Sequence, residues 1–257
     1  MVDHEARVLL IGVVHRDPDG YRRLLSLLRR EEPERVTVEL SPHSVRWRRG
    51  PGRALARALR AVAAGENAAE APRVRELLAV LRLPFEYRAA RAYCRESGAR
   101  LALLDLSRYA RPKLESFEAG VREELARLAF PPERGRAVDP GLEEADARGR
   151  AARRRTSRRG VAGAYRRALA ALRDPERCYL PLANEEARAE LARRDAHASR
   201  RLLDIASGEP WAKVAHIAGW EHLVLDDRRL SLWARLRRRL RPRPRRVLLC
   251  PREARPS

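Results

Sequence analysis

The feature that most constrains the fold is an apolar run near the amino terminus, Val8–Val14, which ends on His15. An uninterrupted run of this kind is typical of a strand buried on both faces, as strands are in a parallel sheet covered by helices. Asp17 is expected to cap a helix whose first residue is Pro18. His15 then lies in the turn at the carboxyl end of the strand, where open α/β sheets bind their ligands.

Later apolar runs bring further polar residues to the same edge. Strands are predicted at Arg35–Leu40, Arg100–Asp105 and Lys213–Ala218, with a short edge strand at Val247–Leu249. The first carries Glu39 near its end, the second ends on Asp105, and the third leads into Gly219. Because the carboxyl ends of parallel strands meet at one edge, we expect these residues to lie near His15.

The rest of the chain has helical patterns. Glycines and prolines divide residues 41–98 into two or three helices, and Glu185–Ala206 predicts another. We predict an α/β fold with a mainly parallel sheet of four to five strands, helices on both faces, and a helical insertion at 107–210 between the third and fourth strands. A single domain over 1–257 is expected, with a basic tail at 235–257. The arginine-rich stretch 131–160 predicts a mobile or loosely helical segment, whose role we leave open.

The net charge of +21 and the isoelectric point near 11.3 normally favour a polyanionic partner. Of the 56 basic residues, however, only Lys113 and Lys213 are lysines, which indicates an arginine-for-lysine bias of the coding sequence. Aromatic residues that could stack on bases make up only 5% of the chain. We therefore expect no specific nucleic-acid partner, and an arginine-rich nucleic-acid-binding protein stays an alternative.

Three cysteines, Cys94, Cys178 and Cys250, are far apart and form neither a metal-binding pair nor a complete disulfide set. This usage favours a reducing cytoplasm. The longest apolar run is much shorter than a membrane span requires, so no membrane span is expected. The sequence leaves open whether the protein forms a homo-oligomer.

The main chemical signal is a pair of GxxH turns, Gly12 to His15 and Gly219 to His222. In each turn the glycine lets the backbone leave the strand or lets a ligand approach closely, and we expect both histidines to face the crevice. With a nearby carboxylate such as Glu39, they could hold a divalent metal (Zn, Mn or Co) or act as general bases. The alternative is that both imidazoles are satisfied turn residues and that Glu39 is a capping or salt-bridged acid.

Several common catalytic and nucleotide-binding motifs are absent from the sequence. No HExxH, GxSxG, GxGxxG or GxxxxGK[ST] motif occurs. These absences remove support for the common zinc proteases, for serine hydrolases of the elbow type, and for nucleotide binding through a glycine-rich loop.

The motifs together resemble the TraB/PrgY family, part of a superfamily with the Tiki metalloproteases, the erythromycin esterases and the haem-binding ChaN proteins. The resemblance covers both GxxH motifs, the strand-end acid Glu39 followed by Arg46, and the helix-opening Glu86. It also covers the strand-end Asp105 and the pair Arg194-Asp195 on a late helix. These short matches extend from about Val8 to Leu225.

The resemblance implies a metal-dependent hydrolase that acts on a peptide or ester bond. It implies that His15, Glu39 and His222 are the catalytic and metal-binding residues and that Gly12 and Gly219 are turn residues. Substrate binding is expected from the following residues: Arg46, Glu86, Asp105, Arg194 and Asp195. The alternative within the same family is a non-catalytic, PrgY-like regulator that binds a peptide or small-molecule ligand in the same crevice.

Overall fold

A computed structural model describes residues 7–64, 71–129, 157–173, 185–224 and 231–251. The strands are β1 (Val8–Val13), β2 (Arg35–Val38), β3 (Arg100–Leu103), β4 (Val214–Gly219) and β5 (Arg245–Leu248). The helices are α1 (Gly20–Glu31), α2 (Pro42–Arg49), α3 (Pro51–Ala63), α4 (Ala71–Leu81), α5 (Phe85–Ser97), α6 (Ser107–Ala129), α7 (Arg158–Arg173), α8 (Glu185–Gly208) and α9 (Leu232–Arg239). None of the described helices is both long and apolar enough to cross a membrane.

The strands form one parallel sheet in the order β3-β2-β4-β1-β5. The central strand β4 is in register with both neighbours, so that Gly219 lies opposite Val13 and Ile217 lies opposite Val38. The segments that follow β1, β2 and β4 therefore leave the sheet at the same level. The predicted α/β class is confirmed, and so is the edge strand, which begins at Arg245.

Helices cover both faces of the sheet, as predicted. Alternate residues of β1 face opposite sides, since Leu9 and Ile11 pack with α1, α5 and α7 while Val8 and Leu10 pack with α8 and α9. A strand that is buried on both faces needs the continuous apolar sequence from which it was predicted. Among the described residues between β3 and β4 there are helices and no strand.

The turn after β1 differs from the prediction, because α1 begins at Gly20 rather than at Pro18. Arg16 adopts the left-handed region with φ of 64°, and the amide of Asp17 donates to the carbonyl of Val14 at 3.3 Å. The Asp17 side chain accepts from the amide of Asp19 at 3.0 Å, so it caps this turn and not the helix. The chain completes a tight turn before the helix can begin.

The stretch predicted to hold two or three helices forms four, α2 to α5. The last of these ends at Ser97 and is followed by Gly98 with φ of 76°, which is the left-handed glycine expected after a helix. Each break between the helices falls near a glycine or proline of the sequence.

The chain divides into two compact units. The sheet unit comprises the described residues of Met1–Leu40, Phe85–Leu106 and Arg158–Ser257, and the helical unit those of Ser41–Pro84 and Ser107–Ser157. In the helical unit, α2, α3, α4 and α6 pack around an apolar cluster that includes Trp47, Leu59 and Val121. The predicted insertion 107–210 is thus shared between the units, and whether they form a single domain stays a prediction.

Two further predicted segments are the basic tail and the arginine-rich segment. The basic tail expected from residue 235 is folded as far as the structure describes it, because residues 235–251 include the end of α9 and the whole of β5. The arginine-rich segment 131–160 lies outside the described residues up to 156, and Arg158–Gly160 open α7.

The fold makes Leu10 a test of the sheet core. Its side chain is fully buried in β1 on the face covered by α8 and α9. We expect Leu10→Ala to lower the free energy of unfolding by about 2–5 kcal/mol, because it removes buried methyl groups and leaves a cavity. Trp211→Ala is the control, since Trp211 is 76% exposed and its loss should cost within about 0.5 kcal/mol. Equal costs in denaturant titrations would contradict the assigned packing.

Candidate functional site

Ionisable side chains meet at the carboxyl edge of the sheet unit. They come from the segments after β1 to β4 and from α5 and α8, and we call them the edge cluster: His15, Glu39, Glu86, Asp105, Arg194, Asp195, Glu221 and His222. All of the predicted site residues in the sheet unit, apart from the two glycines, are members.

Glu39 lies at the centre of the edge cluster and accepts three hydrogen bonds. Oε1 accepts from Nε2 of His222 at 2.9 Å and from Arg194 at 2.5 Å, and Oε2 accepts from the amide of Gly219 at 2.9 Å. Burial alone raises the pKa of a carboxyl group, but the charges of His222 and Arg194 hold the pKa of Glu39 well below its usual value. Glu39 is therefore a buried carboxylate.

His222 is held between two acids. Its Nδ1 is bonded to Asp195 and its Nε2 to Glu39, and the residue is only 5% exposed. Burial lowers the pKa of the imidazole, but Glu39 and Asp195 outweigh it and raise the pKa to about 10. At neutral pH His222 is therefore a buried imidazolium that donates from both nitrogens. His222 is buried against α8, and its place in a ligand-binding crevice stays a prediction.

Arg194 connects two strand-end acids. It binds Asp105 in bidentate fashion at 2.9 and 3.0 Å, and it also donates to Glu39. Although burial lowers the pKa of the guanidinium, the two carboxylates raise it, so Arg194 is a permanent cation. Its side chain is 22% exposed, and its Nε and Nη2 donors contact the protein's own acids. Arg194 thus links Asp105 to Glu39, and the predicted binding of substrate by Arg194 and Asp105 stays a prediction.

His15, unlike His222, is largely exposed to solvent. Its side chain is 58% exposed, and its Nδ1 is bonded to Oε1 of the buried Glu86 at 2.7 Å. Burial lowers the pKa of His15, while the hydrogen bond and charge of Glu86, together with Glu39 and Glu221, raise it to about 9. Because the ring is largely exposed, solvent screens part of this effect. His15 is the member of the edge cluster most open to a ligand.

The turn that carries His15 is fixed by a residue that the sequence did not indicate. The hydroxyl of Tyr165, on α7, accepts from the amide of Val14 at 3.2 Å and donates to Asp17 at 3.2 Å. Tyr165 is fully buried, so its hydroxyl is shielded from bulk water. A single tyrosine on an amphipathic helix carries no sequence signal of such a role.

Gly219 is where the two GxxH turns meet. A β-carbon at this position would lie 3.1 Å from Nε2 of His15 and 2.7 Å from a carboxylate oxygen of Glu221. Its distance of 3.6 Å from Cδ2 of His222 would be an ordinary van der Waals contact, so the glycine makes room for His15 and Glu221. Gly12, predicted as a turn residue, lies inside β1, where a β-carbon would come within 2.8 Å of Leu248.

The remaining predicted site residues are buried beside the two histidines or lie in the helical unit. Glu86 and Asp195 are buried and bonded to the two histidines, so the structure gives them a positioning role. Arg46 lies on α2 in the helical unit, and its role at the crevice stays a prediction. Glu221 was missed although it lies within the second GxxH motif. His216, in the middle of β4, was also missed.

The positions of the His and carboxylate donor atoms bear on the predicted metal site. Among the residues that the structure describes, no three His, Cys, Asp or Glu side chains are grouped so that they could hold a metal ion. Nε2 of His222, which would be a ligand, is bonded to Glu39 instead. The anchoring of both Nδ1 atoms on carboxylates is nevertheless the arrangement typical of metal-binding histidines.

Comparison of the chain with protein-family models, curated proteins and solved structures gave no match. The resemblance to the TraB/PrgY family therefore stays an expectation drawn from the motifs.

The raised pKa of His222 predicts how stability depends on pH. Its ordinary value of 6.5 applies to the unfolded chain, and its folded value is about 10. Its contribution to stability is therefore complete below pH 6.5 and is lost as the pH rises through about 10. We expect the free energy of unfolding to fall over this window in denaturant titrations.

Two variants isolate this effect. His222→Gln should reduce the dependence between these pH values to the part that His15 contributes, whereas His43→Gln, which changes a histidine of the helical unit, should leave it in place. A dependence that is unchanged in His222→Gln would show that His222 is not the titrating group.

Proposed function

We propose that this protein is a hydrolase in which His15 activates a water molecule for attack on a peptide or ester bond. The observation that carries the proposal is the His15–Glu86 pair, in which a largely exposed imidazole is held by a buried carboxylate. The class of bond comes from the resemblance to the TraB, Tiki and erythromycin esterase proteins.

Glu86 explains how His15 could act as a base. When the carboxylate accepts a hydrogen bond from Nδ1, the proton of neutral His15 is fixed on that nitrogen and the lone pair is on Nε2. A histidine oriented in this way can take a proton from water, as the histidine of a catalytic triad takes one from serine. Since the pKa of His15 is raised to about 9, the base form increases toward alkaline pH.

The buried residues of the edge cluster support this chemistry by position. Glu39 holds the amide of Gly219, and Gly219 faces the reactive edge of His15. His222 and Arg194 keep Glu39 charged and oriented. The second GxxH turn is therefore fixed against the first before any substrate binds.

A metal-dependent form of the same reaction is a second candidate. The observation in its favour is that each GxxH histidine has its Nδ1 bonded to a carboxylate, which is the arrangement typical of metal-binding histidines. His15, His222 and Glu39 would hold zinc, manganese or cobalt, and such an ion lowers the pKa of bound water. To bind it, His222 would first have to release the proton that it shares with Glu39.

The test is the hydrolysis of a peptide and ester library by the purified chain. We expect His15→Gln to lower kcat/KM by about 10²–10⁴-fold, as for the loss of a general base, with little change in the free energy of unfolding. Glu86→Gln should have an intermediate effect. Arg22→Gln, which changes an exposed side chain, is the matched control. Wild-type activity should rise with pH toward about 9.

Three results would change this assignment. Activity that chelators remove and zinc, manganese or cobalt restores would favour the metal-dependent form. Binding of a peptide without turnover would favour the non-catalytic, PrgY-like alternative. Turnover that survives His15→Gln would remove His15 from the mechanism.

A further inference from the structure

A third histidine lies directly beneath the edge cluster. His216 is in the middle of β4, only 1% exposed, and faces the same side of the sheet as Val214, which packs with α8 and α9. Neither of the GxxH motifs includes it. Its neighbour across the sheet is Thr37 of β2, which is equally buried.

The contacts of Thr37 are compatible with a proton on Nδ1 of His216. The hydroxyl oxygen of Thr37 lies 2.8 Å from Nδ1 of His216 and 3.4 Å from the carbonyl of Ala215. A hydroxyl has one proton, and the carbonyl can only accept it. If that proton goes to Ala215, Nδ1 of His216 must donate to Thr37, which leaves the lone pair on Nε2. Burial lowers the pKa of His216 to about 4, so the ring is neutral.

Nε2 of His216 is buried and has no hydrogen-bond partner among the described residues. A buried acceptor without a partner costs free energy, so a partner is expected. His216 lines a cavity of about 10 Å³ together with Glu39, Asp105, Arg194 and His222. This is about the smallest space that holds one water molecule, and a buried water needs two to four polar partners. The cavity wall supplies both donors and acceptors.

We propose that this cavity is a binding site for one water molecule and that His216 is a positioning residue. The water donates one hydrogen bond to Nε2 of His216 and the other to the carboxylate of Glu39. His216 thereby orients Glu39 through the water. This contact adds to the direct hydrogen bonds that Glu39 accepts from His222, Arg194 and the amide of Gly219. The inference does not depend on the hydrolase activity proposed above.

The first measurement is the ring nitrogen NMR of protein labelled with ¹⁵N-histidine, with His216 assigned by its loss in His216→Gln. We expect His216 to be neutral near pH 7 and to carry its proton on Nδ1. In Thr37→Val, which removes the partner of Nδ1, we expect the proton to redistribute between the two nitrogens. A proton fixed on Nε2 of the wild-type protein would overturn the proposal.

The second measurement follows the proton that His222 shares with Glu39. If the water bound to His216 holds Glu39 in place, His216→Leu should speed the exchange of this proton with solvent. The expected factor is about five to ten, as for the loss of one hydrogen bond. In His216→Gln the side-chain carbonyl replaces the acceptor, so exchange should stay close to the wild-type rate. Equal acceleration in both variants would show that only packing matters, and would overturn the positioning role.

A high-resolution crystal structure gives an answer that does not require a folded His216→Leu variant. We expect electron density for one water at about 2.7–3.2 Å from Nε2 of His216 and within hydrogen-bond distance of Glu39. A cavity without density, or a water that contacts Arg194 and Asp105 but not His216, would overturn the proposal.

Discussion

A buried carboxylate, Glu39, is the group on which the carboxyl edge of the sheet depends. A charge removed from water is costly unless it is paired and hydrogen-bonded, and Glu39 obtains this from Arg194, His222 and the amide of Gly219. These partners are 155 and more residues away in sequence. The hydrogen bonds that compensate the charge of Glu39 therefore connect the end of β2 with α8 and with the turn after β4. These connections set the geometry of the edge cluster.

This compensation explains why the histidines of two similar motifs differ in burial. The second GxxH turn places His222 under α8 between two acids, where its pKa of about 10 makes it a structural cation. The first turn leaves the ring of His15 largely exposed and anchored on one side by Glu86. His222 is thus enclosed by its acid partners, the ring of His15 is open to solvent, and Gly219 leaves room for His15 beside the second turn.

The sequence was sufficient to predict the strands and the edge of the sheet at which the polar residues lie, because both depend on local patterns. An apolar run predicts a strand buried on both faces, and a polar residue directly after it must lie at the strand end. The burial of His222 was not predictable, since it depends on how α8 covers the turn. The same holds for Tyr165 and His216, whose roles arise from contacts 148 or more residues distant.

The most direct test of the account is a double-mutant cycle between Glu39→Met and Arg194→Met, measured as the free energy of unfolding. Each single change takes one partner from a buried charge, although Arg194 keeps Asp105 and Glu39 keeps His222, and should cost about 3–5 kcal/mol, whereas the double change removes both charges. We therefore expect the double variant to be more stable than the sum of the single losses predicts, by about 1–3 kcal/mol. Additive losses would show that Glu39 and Arg194 act independently and would contradict the central role assigned to Glu39.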